Sequence, residues 1–124
     1  MYKLLMSINK EPAEEILSGK KKYEYRKVKA KKEISKIIIY ETSPVKLVVG
    51  EVEVLGIIFD DVDKVYELTK KYSGISKESY YKYFANCSKA VAYKLGKVTK
   101  YNKSLQLKDL GINYVPQSYI YLKN

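Results

Sequence analysis

Residues 19–27 read GKKKYEYRK, and Arg26 within this stretch is the only arginine of the chain. Every other one of the 24 basic residues is lysine. From Lys21 to Val28 the side chains alternate. Tyr23 and Tyr25 fall on one face, and Lys22, Glu24 and Arg26 on the other, which is the two-residue period of a strand. Lysine is the ordinary cation of this chain, so a lone arginine marks a place where a planar fork of donors is needed. Its neighbour Glu24 is able to orient that fork or to accept a hydrogen bond from a base or ribose.

The flanking segments read clearly. LLMSI (4–8) is a short buried strand. Residues 10–18 form a helix, with Asn9 at the N-cap position, Pro12 in the first turn, Glu11, Glu14 and Glu15 near the positive end, and Gly19 as the stop. Ile16 and Leu17 then point into the core. After a charged connection, KIIIYET (36–42) is a strand rich in β-branched residues. Ser43 and Pro44 make a turn, and residues 45–59 form a long strand bent at Gly50 and Gly56. Residues 60–74 read as a helix begun by aspartates and ended at Gly74. A second short helix follows Ser76 as its cap, and 89–101 is a strand. SLQLKDLGI holds a helical turn stopped by Gly111, and PQSYIYL (116–122) closes the chain as a strand. The order β-α-β-β-β-α-α-β-β predicts an α+β fold, a small mixed β-barrel with short helices inserted between strands.

Composition narrows the function classes. A chain of 124 residues with 46% hydrophobic content fits a single domain, 1–124. No apolar run reaches the length of a membrane span, and the apolar part of MYKLLMSINKEP is too short for a secretory signal, so a cytoplasmic location and no membrane partner are expected. There is no histidine and one cysteine. That removes His-based acid–base catalysis, Ser-His and Cys-His nucleophile pairs, and any internal disulfide, and it leaves no metal or other cofactor expected. Cys87 reads as a small hydrophobe in or near the core. The net charge is +10, and residues 20–36, with nine basic and two acidic residues, carry +7 of it. A field focused in this way draws polyanions.

Gly19, Lys21, Glu24 and Arg26 fit the pattern G-x-K-x-x-E-x-R. Following a short strand and a helix ending in ILSG, and with the strands of KIIIYETSPVKLVVGEVEV, the SGIS element and the closing PQSYIYL, the chain resembles the ASCH domain family of the PUA-like superfamily. The resemblance runs over nearly the whole chain. It implies a small PUA-like barrel with the motif in a cleft, and RNA or a nucleotide as ligand. It also brings two enzyme possibilities, an amidohydrolase acting on acetylcytidine and a ribonuclease, beside members described only as RNA-binding or as transcriptional regulators. The amidohydrolase pattern is matched at Lys21 and Arg26. Where it implies a threonine nucleophile this chain has Glu24, and where it implies a later glutamate this chain reads YSGIS, with no carboxylate before Glu78.

The expected site is therefore Lys21, Glu24 and Arg26. Lys20 and Lys22 flank it, Ser43 stands at the rim, and Gln117 and Ser118 offer hydrogen bonds from the closing segment. Arg26 is suited to a phosphate or carboxylate, and Lys21 offers a point charge whose pKa responds to burial. Ser73 is a further polar candidate, and Ser76 reads as a helix cap. The 14 tyrosines can stack on bases. Those at 23, 25, 40, 80, 81 and 83 read first as core. Three functions stay open: an RNA-binding module, a nucleoside-directed hydrolase using Lys21 and Glu24, and a regulatory protein sensing a small anionic ligand.

Overall fold

The computed structural model describes residues 1–123. Six strands run β1 (Tyr2–Ile8), β2 (Tyr23–Arg26), β3 (Ile34–Glu41), β4 (Leu47–Asp61), β5 (Lys89–Leu105) and β6 (Tyr119–Lys123). Three α-helices, α1 (Lys10–Leu17), α2 (Val62–Thr69) and α3 (Lys77–Tyr83), lie between them, with 3-10 turns at Lys70–Tyr72 and Leu107–Leu110. The strands form one sheet in the order β2-β5-β4-β3-β1-β6. β1 and β3 pair in parallel, joined through α1 and β2, and every other pair is antiparallel.

One face of this sheet lines a continuous interior. Leu4, Met6, Ile37, Ile39, Val52 and Tyr93 meet there, and Ala13 and Ile16 of α1 pack into it. The opposite face of β5 and β2 is covered by α2 and α3 through Tyr25, Val65, Tyr80, Phe84 and Ala92. Leu5, Ile38 and Val48 form a third cluster under the Leu107–Leu110 turn. Curvature comes from β4. Its pairing with β5 slips beside Gly50 and Gly56, the bulges expected of a long bent strand. At Gly50 a Cβ would stand 2.6 Å from the Thr99 carbonyl oxygen, so only glycine fits that crossing.

β2 and β6 are the two ends of the strand order, yet a side chain joins them. Arg26 of β2 donates to the Ser7 carbonyl of β1 and to the Ser118 hydroxyl just before β6, both at 3.1 Å. The sheet curls until its ends meet, and a guanidinium spans the seam where a ladder of backbone bonds would otherwise run.

Several boundaries differ from the sequence expectations, each for a local reason. β2 covers only Tyr23–Arg26 because Lys21 turns inward before it, while Lys22 donates its N–H to the Tyr72 carbonyl. The expected helix over 60–74 shrinks to Val62–Thr69 and a 3-10 turn, because Asp60 and Asp61 still belong to β4, paired with Ala90 and Lys89. Those aspartates do not cap α2: Asp60 accepts from the Asp61 N–H and Asp61 pairs with Lys89. Asn9 stands at the N-cap position of α1, but its side chain makes no capping bond and instead accepts from the Thr42 hydroxyl at 2.9 Å. Ser76 does cap α3, accepting from the Ser79 N–H at 3.0 Å, and Gly111 ends the second 3-10 turn at φ 76°. The closing strand starts at Tyr119, three residues later than the sequence suggests. Cys87 is half-buried against the α2–α3 cluster.

Candidate functional site

Lys21 is placed by the end of α1. Ser18 caps the helix, Gly19 adopts φ +82°, and the Lys21 N–H donates back to the Glu15 carbonyl. This hook sends the Lys21 side chain inward until only 4% of the residue is exposed. Its ammonium donates to the Ser73 carbonyl and lies 5.0 Å over the Tyr25 ring centroid. Tyr25 is itself fixed, its hydroxyl 2.6 Å from the Thr69 hydroxyl, which donates to the Val65 carbonyl at 2.7 Å. Gly74, at φ +73°, packs so closely that a Cβ there would lie 3.0 Å from the Lys21 stem. Burial holds the Lys21 pKa below its ordinary value. Glu24 and Glu15 partly offset this, and Arg26 adds to it.

Glu24 and Arg26 share the strand face that looks toward the seam. The Arg26 Nη2 to Glu24 Oε2 distance is 2.9 Å, and Glu24 is buried. With the Ser7 and Ser118 bonds, three of the five guanidinium N–H donors are directed at the protein itself. A lysine has no planar fork to reach three such partners at once. Among the described residues, Arg26 Nε is the one buried side-chain nitrogen or oxygen with no hydrogen-bond partner. It and a second Nη1 hydrogen are the donors Arg26 has left to offer.

A cavity of about 430 Å³ opens over these groups. Lys21, Glu24, Tyr25, Arg26 and Gln117 line it, together with Ser7, Asn9, Ile75, Ser79 and Tyr83. Lys21, Glu24, Arg26 and Gln117 are thus brought to one place, and Ser118 touches it through Arg26. Lys20 and Lys22 are exposed and stand outside the lining. Ser43 is exposed in the turn, and it is its neighbour Thr42 that reaches the cavity residue Asn9. Ser73, named only as a further polar residue, supplies the carbonyl that holds Lys21.

Ser7, Asn9, Ser79 and Tyr83 line the cavity without having been singled out for it in the sequence. Ser7 left one signal, as the polar residue of the apolar run LLMSI. Tyr83 sits at the mouth, 38% exposed, although its helical spacing reads as core. No three His, Cys, Asp or Glu side chains gather as a cation site among the described residues. The arrangement offers one desolvated amine, one carboxylate held by a guanidinium, free guanidinium donors and an aromatic edge. That set suits a group with an anionic oxygen and a planar ring.

The ASCH domain profile matches residues 6–101 of the chain. An ASCH domain-containing ribonuclease of Zymomonas mobilis is 32% identical over 124 residues, covering 96% of this chain and 83% of that protein. The crystal structure of ASCH from Zymomonas mobilis superposes with a TM-score of 0.88 at 29% identity, covering 98% of this chain and 87% of the other. The ATP synthase subunit alpha of Ureaplasma parvum is 33% identical over 121 residues, which are 97% of this chain. The chain spans only 15% of that subunit's length.

Proposed function

We infer a function from one premise: the chain belongs to the ASCH domain family, with a PUA-like α+β fold. It binds single-stranded RNA and seats one nucleotide in the cavity over Lys21, Glu24 and Arg26. The observation that carries this reading is Arg26 Nε, a buried donor left without a partner beside a buried lysine. A phosphate oxygen that displaces the atoms covering that donor satisfies it and lies within reach of both cations. Glu24 holds the guanidinium in place and disfavours a second anion beside itself, so the phosphate enters from the Nε side. The ring of Tyr83 at the mouth gives a base a face to stack on. The +7 of residues 20–36 steers the strand to the opening.

The experiment is a titration of a labelled single-stranded RNA at two ionic strengths. With about three phosphates engaged, affinity falls roughly 20-fold between about 50 and about 200 mM salt. Binding that is absent, or indifferent to salt, contradicts the reading.

A second reading has its own support in the lowered Lys21 pKa and in the Zymomonas relative named a ribonuclease. Here the RNA 2′-oxygen attacks the adjacent phosphorus and gives its proton to Lys21 in its unprotonated form, the form that burial favours. The bond from phosphorus to the 5′-oxygen breaks, that oxygen takes a proton from water, and a 2′,3′-cyclic phosphate remains. Arg26 Nε carries the charge that develops on the non-bridging oxygen. Product analysis separates the two readings: cyclic-phosphate ends mean cleavage, and intact RNA means binding alone.

A further inference from the structure

Beyond the cavity, the lysine-rich loop 27–33 connects β2 to β3 and packs Ala30 into the interior cluster. It is anchored by its backbone: the Ala30 N–H donates to the Tyr93 hydroxyl at 3.2 Å and the Lys31 N–H to the Tyr121 hydroxyl at 2.9 Å. Its lysines do not simply extend into solvent. Lys27 lies 4.9 Å over the Tyr83 ring, Lys29 5.7 Å over Phe59, and Lys32 4.7 Å over Tyr2. Phe59 is 48% exposed, so its ring is open to a ligand beside Lys29.

The sheet register ties Phe59 to the site. Arg26 pairs with Val91 on β5, and Val91 pairs with Phe59 on β4. Paired residues of antiparallel strands share a face. Arg26 and Phe59 therefore stand in one row, two strand spacings or about 10 Å apart, on either side of the buried Val91. Tyr83 and Lys27 adjoin the cavity at Arg26, and Lys29 leads on to Phe59. A second cavity of about 470 Å³ lies beyond, walled by Ile34, Leu55 and Ile57 and rimmed by Lys29, Lys31 and Lys32.

We propose that Tyr83, Phe59 and loop 27–33 form a track that carries the single strand past the cavity, each ring stacking one base. The partner is RNA on grounds of charge, since the loop supplies Lys27, Lys29, Lys31 and Lys32, four of the nine cations of residues 20–36. In the free protein each lysine occupies the ring beside it by a cation–π contact. In the complex the base takes the ring and the ammonium moves to the neighbouring phosphate. This inference rests on the RNA-binding reading and adds its length and direction.

The chain has no tryptophan, so Phe59→Trp introduces a single indole reporter. The probe is a labelled uridine hexanucleotide, with a dinucleotide for comparison. The expected result is saturable quenching of the indole by the hexanucleotide, at the concentration at which label anisotropy rises, and little quenching by the dinucleotide. Phe59→Ala should weaken hexanucleotide binding roughly ten-fold or more and leave dinucleotide binding unchanged. Hexanucleotide binding with unmoved indole emission, or with wild-type affinity in Phe59→Ala, overturns the track while leaving the cavity reading intact. No binding of either RNA by the wild type overturns both.

Discussion

Arg26→Ala melts roughly 10 °C below the wild type in a thermal scan followed by circular dichroism. The reason lies in the seam. Arg26 is the group that joins β2 to Ser7 of β1 and to Ser118 before β6. Its removal also leaves the buried Glu24 without its 2.9 Å partner. Taking away one member of a buried pair costs about 3 kcal/mol or more, because the remaining charge has lost both water and its counter-ion. In a domain of this size that is a shift of roughly 10 °C. Arg26→Lys keeps the charge but has no planar fork, so it recovers only part of the loss. The double variant Arg26→Met with Glu24→Gln melts higher than Arg26→Ala, since no charge is stranded. A melting temperature for Arg26→Ala within about 2 °C of wild type would mean that the seam is held by other contacts.

Lys21→Met shows the opposite division between stability and function. Methionine fills the same slender channel beside Gly74 and Tyr25. It gives up one charge-assisted hydrogen bond to the Ser73 carbonyl, about 2 kcal/mol, and offsets this by removing the need to desolvate an ammonium. Melting stays within a few degrees, while RNA affinity falls about 10- to 100-fold through loss of a charge-assisted contact, and any cleavage is lost with it. A pH series checks the same residue. The folded pKa of Lys21 lies below 10.5, the value for an unhindered lysine. Between that depressed value and 10.5 the unfolded chain holds the extra proton, so this site makes stability rise with pH through the window. Below it the cost is constant. Lys21→Met lacks that rise. Wild-type RNA affinity in the folded Lys21→Met protein would remove Lys21 from the site.

Local signals carried much of the fold. Gly19, Ser76 and Gly111 each end or begin an element where backbone geometry needs them, and Gly50 and Gly56 mark the two bends of β4. These are short-range decisions, readable within a few residues. The aspartates at 60 and 61 misled because their residue type suits a cap equally well as the end of a strand, and only pairing with β5 decides. The site was legible to the extent that one arginine among lysines is a chemical choice. What that arginine does was not legible. Its partners Ser7 and Ser118 are 19 and 92 residues away, and their approach depends on the curl of the whole sheet. Much of its fork is directed at the protein, leaving fewer donors for a ligand than the residue type alone suggests. Tyr83 and Phe59 were hidden for a related reason. Periodicity identifies an apolar position but not whether the element it lies on ends at a rim.

The central claim is that RNA docks on Arg26. A chain with a single arginine gives a single arginine Nε–H cross-peak in a proton–nitrogen correlation spectrum. That nitrogen is the buried donor without a partner. The measurement is to follow this one signal while single-stranded RNA is added. A saturable shift, with the midpoint found by anisotropy, is the predicted result. RNA that binds while the Arg26 Nε signal stays where it was would contradict the account and place the binding surface elsewhere on the protein.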